Sequence, residues 1–123
     1  MPPPLTRLTL YVADTTDVAH FYGRHFGYIA HPKPGGLIEL HPPGEGIHLL
    51  LHPLAKGRKS GQTLVKLSFY VVDVEEAKAT FAAQGLDFGP THQGDGYQFS
   101  NSRDPAGNAI SITSRVFAPE PIA

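Results

Sequence analysis

The fold is decided by a stretch that occurs twice, as RLTLYVAD at residues 7–14 and as KLSFYVVD at residues 66–73. The two copies share leucine, tyrosine, valine and aspartate, and their other positions are conservative exchanges. They begin close to half of the 123-residue chain apart. Each copy alternates polar and apolar residues up to the aspartate, which is the period of a half-buried β-strand. We therefore interpret the chain as two copies of one strand-led module.

The residues after the first copy predict a capped helix and three shorter strands. Asp14 with Asp17 is typical of a helix start, and apolar residues at helical spacing predict a helix over Thr16–Phe26 that closes at Gly27. Strands are predicted at Tyr28–His31, Leu37–His41 and Ile47–His52, the last two forming a hairpin.

The second half repeats this order. Asp73 with Glu76 predicts a helix that runs to Gly85, and Leu86–Gly89 continues toward a strand. Two further strands, Tyr97–Arg103 and Ala109–Ser114, flank the turn DPAGN at residues 104–108. Both halves thus read strand–helix–strand–strand–strand, which predicts an α+β fold.

The polar, basic and turn-rich segment Pro53–Gly61 predicts the boundary between the modules. We place the first module at residues 1–56 and the second at 57–123, where it ends in an extended tail from Phe117 onward. Because a unit of about 60 residues buries only about 60% of its unfolded surface, we expect the two modules to form one structural domain.

Composition narrows the functional class. A net charge of −1 favours neither nucleic acid nor an anionic membrane as partner, and the absence of cysteine excludes disulfide and thiolate chemistry. An apolar share of 41% suits a globular protein, and no run of residues resembles a secretion signal or a membrane span. We expect a soluble cytoplasmic protein.

Three motifs resemble the vicinal oxygen chelate superfamily, which includes glyoxalase I, extradiol dioxygenases and bleomycin-resistance proteins. They are VAD at residues 12–14, FY at 21–22 with FG at 26–27, and DPxGN at 104–108. The resemblance implies two βαβββ modules that form a curved eight-stranded mixed sheet around a cleft. It also implies a homodimer and a small ligand or a divalent metal inside the curve.

In each lead strand the leucine and valine residues must meet the helix, so the alternate residues line the concave side. These are Arg7, Thr9 and Tyr11 in the first copy, and Lys66, Ser68 and Tyr70 in the second. A semi-polar surface that occurs in both modules predicts a binding site rather than a hydrophobic core.

The resemblance implies metal ligands on the first and last strand of each module. The residues at those positions are Arg7, Lys66 and Ser111, with His48 as the last-strand counterpart in the first module. Arginine and charged lysine offer only hydrogen-bond donors, so we expect the usual metal site to be absent and no cofactor to be bound. The ordinary glyoxalase and extradiol mechanisms need such a Lewis acid.

An alternative is one divalent metal ion held by Glu39, His41 and His48, because two histidines and a carboxylate form a recognised iron or zinc set. That reading favours a metal-dependent lyase or dioxygenase. The remaining histidines, at positions 20, 25, 31, 52 and 92, are interpreted as helix-surface or loop residues.

Arg7 and Lys66 would make the cleft positive, which favours an anionic or aromatic small molecule. Further candidate contacts to such a ligand are His48, Tyr97, Phe99, Arg103 and Ser111. Lys66 is also a candidate base if desolvation lowers its pKa. The leading hypothesis is a small-molecule-binding protein of unknown substrate, and a purely structural scaffold stays open beside it.

Overall fold

The computed structural model describes residues 2–59, 61–62 and 64–116. The chain divides into two compact units, the first comprising Met1–Thr63 with Asp104–Asn108 and the second Leu64–Arg103 with Ala109–Ala123. The predicted extended tail from Phe117 onward lies outside the described residues.

The first unit contains a four-stranded mixed sheet and one α-helix. Its elements are β1 (Arg7–Val12), α1 (Thr15–Phe26), β2 (Ile29–Pro32), a 3₁₀ turn (Pro34–Gly36), β3 (Ile38–His41) and β4 (His48–Pro53). The strand order is β1-β4-β3-β2, in which β1 and β4 are parallel and the other neighbours antiparallel.

The second unit repeats this arrangement. Its elements are β5 (Lys66–Tyr70), α2 (Val74–Ala83), β6 (His92–Gln93), β7 (Gln98–Arg103) and β8 (Ala109–Thr113). The strand order β5-β8-β7-β6 matches the first unit, with β5 and β8 parallel. Two βαβββ modules in an α+β fold are therefore confirmed.

The helix boundaries follow the predicted capping residues. The Asp14 side chain accepts a hydrogen bond from the Asp17 N–H at 3.0 Å, and Asp73 accepts one from the Glu76 N–H at 3.1 Å. Gly27 ends α1 with φ of 72°, a left-handed conformation that favours glycine. Within the described residues, neither helix is long and apolar enough to cross a lipid bilayer.

Alternation along the strands separates two faces of each sheet. Leu10 and Val12 of β1 are buried with Leu49 and Leu51 of β4, and α1 packs on this side of the sheet. In the second unit Leu67, Ile110 and Ile112 are buried in the same way, and α2 packs against β7 and β8. The side turned away from the unit's own helix is called the helix-distal face below.

A buried hydrogen-bond network joins α1 to the turn at 104–108 within the first unit. The hydroxyl of Tyr22, which is fully buried, donates to Asp104 Oδ2 at 2.7 Å. The same carboxylate accepts from the backbone N–H of Ala106 at 3.0 Å and of Asn108 at 2.8 Å, and from Asn108 Nδ2 at 3.0 Å. Burial, reinforced by Asp104, raises the pKa of Tyr22 far above its ordinary value.

The strand predicted to follow Leu86–Gly89 begins later, at His92. The intervening backbone is held by β7 through other bonds: Gly89 N–H donates to the Asn101 carbonyl at 2.9 Å, and the Ser100 hydroxyl donates to the Gly89 carbonyl at 2.7 Å. These isolated bonds satisfy the backbone without a regular ladder, which shortens the edge strand.

Candidate functional site

The helix-distal face of the first unit carries a cluster of charged and imidazole side chains. Strand register places Arg7 beside His48, and Glu39 beside both Leu50 and His31. The His41 ring lies with its centroid 4.2 Å from that of His31 and 4.8 Å from that of His48. His41 and His48 therefore lie side by side across the hairpin.

Glu39 lies between two partners in this cluster. Its Oε1 is 3.8 Å from Arg7 Nη1, and its Oε2 is 3.4 Å from His41 Nε2. The hydrogen bond with His41 lowers the pKa of Glu39 below its ordinary value of 4.5, and the charges of Lys33 and Arg7 act in the same direction. A pocket of about 200 Å³ adjoins these groups and is lined by Thr6, Arg7, Glu39, His41, His48 and Leu49.

Glu39, His41 and His48 thus share one pocket, as the metal alternative requires. Within residues 2–59, 61–62 and 64–116, however, no three histidine, cysteine or acidic side chains are arranged to hold a metal ion. Glu39 lies 3.8 Å from Arg7, and the rings of His41 and His48 are tilted by 58° with their centroids 4.8 Å apart.

The interpretation of His31, His52 and His92 as helix-surface or loop residues was wrong. His31 lies in β2, His52 in β4 and His92 in β6. His31 and His52 share the helix-distal face with the cluster, and the His52 ring packs against that of Tyr11 with centroids 4.9 Å apart. His31 and His52 end the strands predicted at Tyr28–His31 and Ile47–His52, whereas the two-residue strand that contains His92 is too short for a periodic signal.

The second unit presents a cationic pocket on its helix-distal face. Lys66 pairs with Ala109, which pairs in turn with Arg103 on β7. Lys66 Nζ donates to Asn101 Oδ1 at 3.1 Å and lies 5.9 Å from the centroid of the Phe99 ring. The pocket has a volume of about 570 Å³ and is lined by Lys66, Asp87, Asn101, Ser102, Arg103 and Ala109.

Aromatic rings extend from this pocket along the sheet. The Phe99 ring centroid lies 5.1 Å from that of His92 and 6.1 Å from that of Tyr97. Arg115 lies over the Tyr97 ring at 5.4 Å. Together these groups offer flat apolar contact beside the Lys66 ammonium.

Strand register shows which residue of β4 is equivalent to Ser111 of β8. His48 pairs with Arg7, whereas in the second unit the partner of Lys66 is Ala109. Ser111 pairs instead with Ser68, so its counterpart in the first unit is Leu50, the partner of Thr9. The interpretation of His48 as the counterpart of Ser111 was therefore wrong by two residues.

The four positions that the resemblance implies for a metal consequently hold Arg7, Lys66, Leu50 and Ser111. Ser111 is only 3% exposed, and its hydroxyl donates to the Ser100 carbonyl at 3.1 Å. Neither cation has a lone pair to offer, and leucine is apolar, so these side chains do not fit a divalent ion.

The other predicted site residues divide between the two units. Thr9 and Tyr11 are exposed on the first sheet, and Ser68 and Tyr70 on the second, each on the helix-distal face. Lys66 is also exposed, which differs from the desolvated setting that a lysine base requires. Asn101 was missed, although the period-two alternation from Phe99 to Arg103 would have identified it.

Residues 5–112 match the family described as the Glyoxalase/Bleomycin resistance protein/Dioxygenase superfamily. No protein of curated function matches.

Solved structures share the fold over nearly the whole chain. A protein from the mobile metagenome of V. pseudocholerae is 26% identical, with a TM-score of 0.69 over 92% of this chain and 95% of that one. Lactoylglutathione lyase from Agrobacterium tumefaciens is 24% identical, with a TM-score of 0.69 over 91% and 93%. TnmS3, an antibiotic binding protein from Streptomyces, is 19% identical, with a TM-score of 0.74 over 90% and 94%.

Proposed function

The chain belongs to the glyoxalase/bleomycin resistance protein/dioxygenase superfamily, and from this premise we propose that it is a metal-independent binding protein for a small anionic or aromatic molecule. The observation that carries the proposal is the placement of Arg7 and Lys66. They occupy equivalent first positions of β1 and β5, and each lines a pocket on the helix-distal face of its sheet.

The chemistry of these groups supports an anionic ligand. Guanidinium and ammonium groups donate charge-assisted hydrogen bonds to carboxylate or phosphate oxygens, and guanidinium does so with two parallel bonds. A divalent cation in either pocket would be repelled by the arginine or lysine that lines it. The rings of Tyr97 and Phe99 add stacking surface for an aromatic group.

A homodimer belongs to the same proposal, because the edge strands β2 and β6 leave backbone groups to be covered. The net charge of −1 supports a small-molecule ligand over nucleic acid or an anionic membrane.

A metal-dependent lyase or dioxygenase is the second candidate. The observation that favours it is the shared pocket of Glu39, His41 and His48, in which two imidazoles and one carboxylate already lie side by side. A change of side-chain rotamers could bring this set to one metal ion.

Elemental analysis and ligand titration separate the two candidates. Protein purified without a histidine tag is expected to hold well under one iron, zinc or manganese per chain and to bind hydrophobic carboxylic acids. The double variant Arg7→Ala/Lys66→Ala should bind them at least about tenfold more weakly, while Lys56→Ala, which removes an exposed cation elsewhere, should bind normally. About one metal per chain that is lost in His48→Ala would instead establish the second candidate.

A further inference from the structure

The internal repeat allows the two pockets to be compared position by position. Arg7 corresponds to Lys66, and the register makes Glu39 the counterpart of Asn101, since their neighbours Leu50 and Ser111 pair with equivalent lead-strand residues. Two residues further along the same strands, His41 corresponds to Arg103. The two pockets therefore share one backbone pattern but carry different charges.

The charge is balanced in the first pocket and positive in the second. In the first pocket the cation Arg7 faces the carboxylate of Glu39 at 3.8 Å. In the second, the position of Glu39 is taken by the neutral amide of Asn101, which accepts from Lys66. Among the residues that the structure describes, those with a charge that line this second pocket are Lys66, Arg103 and Asp87.

The spacing of the two cations in the second pocket suits a small anion. Ala109 stands between Lys66 and Arg103 on the intervening strand, so a methyl group separates the two cations. Because neighbouring strands lie about 4.8 Å apart, the two cation-bearing backbones are separated by about 10 Å. Both side chains line the same pocket, so an anion held there would be within reach of two cations. The corresponding position in the first unit holds the larger His48.

The surroundings of Lys66 indicate what the anion is attached to. Its ammonium lies over the Phe99 ring, and the rings of His92 and Tyr97 flank Phe99. An anion held at Lys66 would carry its attached group along this row of rings, where an aromatic ring gains stacking contact that an alkyl chain does not.

We propose that the second unit contains an anion subsite in which Lys66 and Arg103 bind the carboxylate or phosphate of an aromatic ligand above Ala109, with the ligand ring against Phe99. In the first unit Glu39 lies 3.8 Å from the equivalent cation, so we expect Arg7 to bind an anion more weakly than Lys66 does. This inference rests on the proposed function and specifies its ligand class and its place.

Four probes define the ligand chemistry by isothermal titration of the full chain. They are 2-naphthoate, 2-naphthyl phosphate, cyclohexanecarboxylate and inorganic phosphate. The two naphthyl anions are expected to bind at least about tenfold more tightly than the other two probes, because they alone place an aromatic ring on Phe99. The stronger of the two naphthyl probes identifies carboxylate or phosphate as the preferred group. Equal binding of all four would overturn the aromatic part of the subsite.

Matched substitutions locate the anion. Asn101→Glu, which places a carboxylate where the first unit has Glu39, and Lys66→Met should each weaken 2-naphthoate binding by about tenfold or more. Asn101→Gln keeps the amide and should stay within about threefold of the unaltered protein. Arg7→Met should weaken binding by less than Lys66→Met does. Far-ultraviolet circular dichroism and the urea midpoint of each variant verify that it folds.

The outcomes distinguish failure of the proposed function from failure of the anion subsite. Binding of none of the four probes contradicts the proposed function and the subsite with it. Probe binding that survives Lys66→Met and Asn101→Glu, or that falls as far in Arg7→Met as in Lys66→Met, overturns the subsite alone.

Discussion

The buried bond between Tyr22 and Asp104 provides a sharp test of what holds the first unit together. Tyr22→Phe removes one hydroxyl and keeps the ring, which is fully buried and surrounded by other aromatic side chains. Asp104 would then lose one of the four hydrogen-bond donors that the described residues supply to its carboxylate, while staying 5% exposed. Stability should fall because water cannot replace the lost donor.

The expected loss of stability follows from the charge of Asp104 and from the burial of its bond with Tyr22. A hydrogen bond to a charged group contributes about 1.5–3 kcal/mol, and here its donor and acceptor are both buried. With three donors remaining on the carboxylate, we expect a loss of about 2 kcal/mol in the free energy of unfolding. At roughly 4 °C per kcal/mol for a chain of this size, the melting temperature should fall by about 8 °C.

Tyr28→Phe is the matched control. Its hydroxyl donates to the neutral carbonyl of Ile47 at 2.9 Å in an exposed setting, so its removal should cost less than about 1 kcal/mol. Urea unfolding followed by circular dichroism measures both variants against the unaltered protein. Equal losses in the two variants would refute the reasoning, because the buried carboxylate would then contribute nothing beyond an ordinary surface hydrogen bond.

Two further predictions concern pH. His41→Ala removes the leading cause of the low pKa of Glu39, so carboxyl-detected NMR should find that pKa higher in the variant than in the unaltered protein, and an unchanged value would contradict the assigned bond. Since the folded-state pKa of Glu39 lies below its ordinary 4.5, its contribution to stability is present above that pH and is lost as the pH falls further. Burial raises the pKa of Tyr22 above its ordinary 10.0, so its contribution is full below pH 10 and is lost as the pH rises. Tyr22→Phe should therefore flatten the alkaline decline in stability measured by urea unfolding, and an equally steep decline would count against burial as the cause.

Features that depend on neighbouring residues were predicted correctly. The alternation in β1 and β5 decided which residues face the helix, because side chains on a strand point to opposite sides with a period of two. The caps at Asp14, Gly27 and Asp73 were readable for a similar reason, since a helix end is satisfied by side chains within three or four residues.

Features that depend on pairing between distant segments were missed or misplaced. The register between β1 and β4 made Leu50, and not His48, the counterpart of Ser111. A shift of two residues keeps each side chain on the same face of the sheet, so the alternation of the strand sequences does not exclude it. The position of Asn101 beside Lys66, which distinguishes the second pocket from the first, depends on that same register.

The amino-acid sequence by itself determined the repeat, the order of elements and the polar face of each lead strand, because these follow from local periodicity and capping chemistry. Tertiary structure alone decided that Glu39 pairs with Arg7, that Tyr22 bonds to a carboxylate 82 residues away, and that Lys66 meets an amide. The physical reason is that cross-strand partners are chosen by register and packing, which bring together residues whose separation along the chain carries no information about their contact.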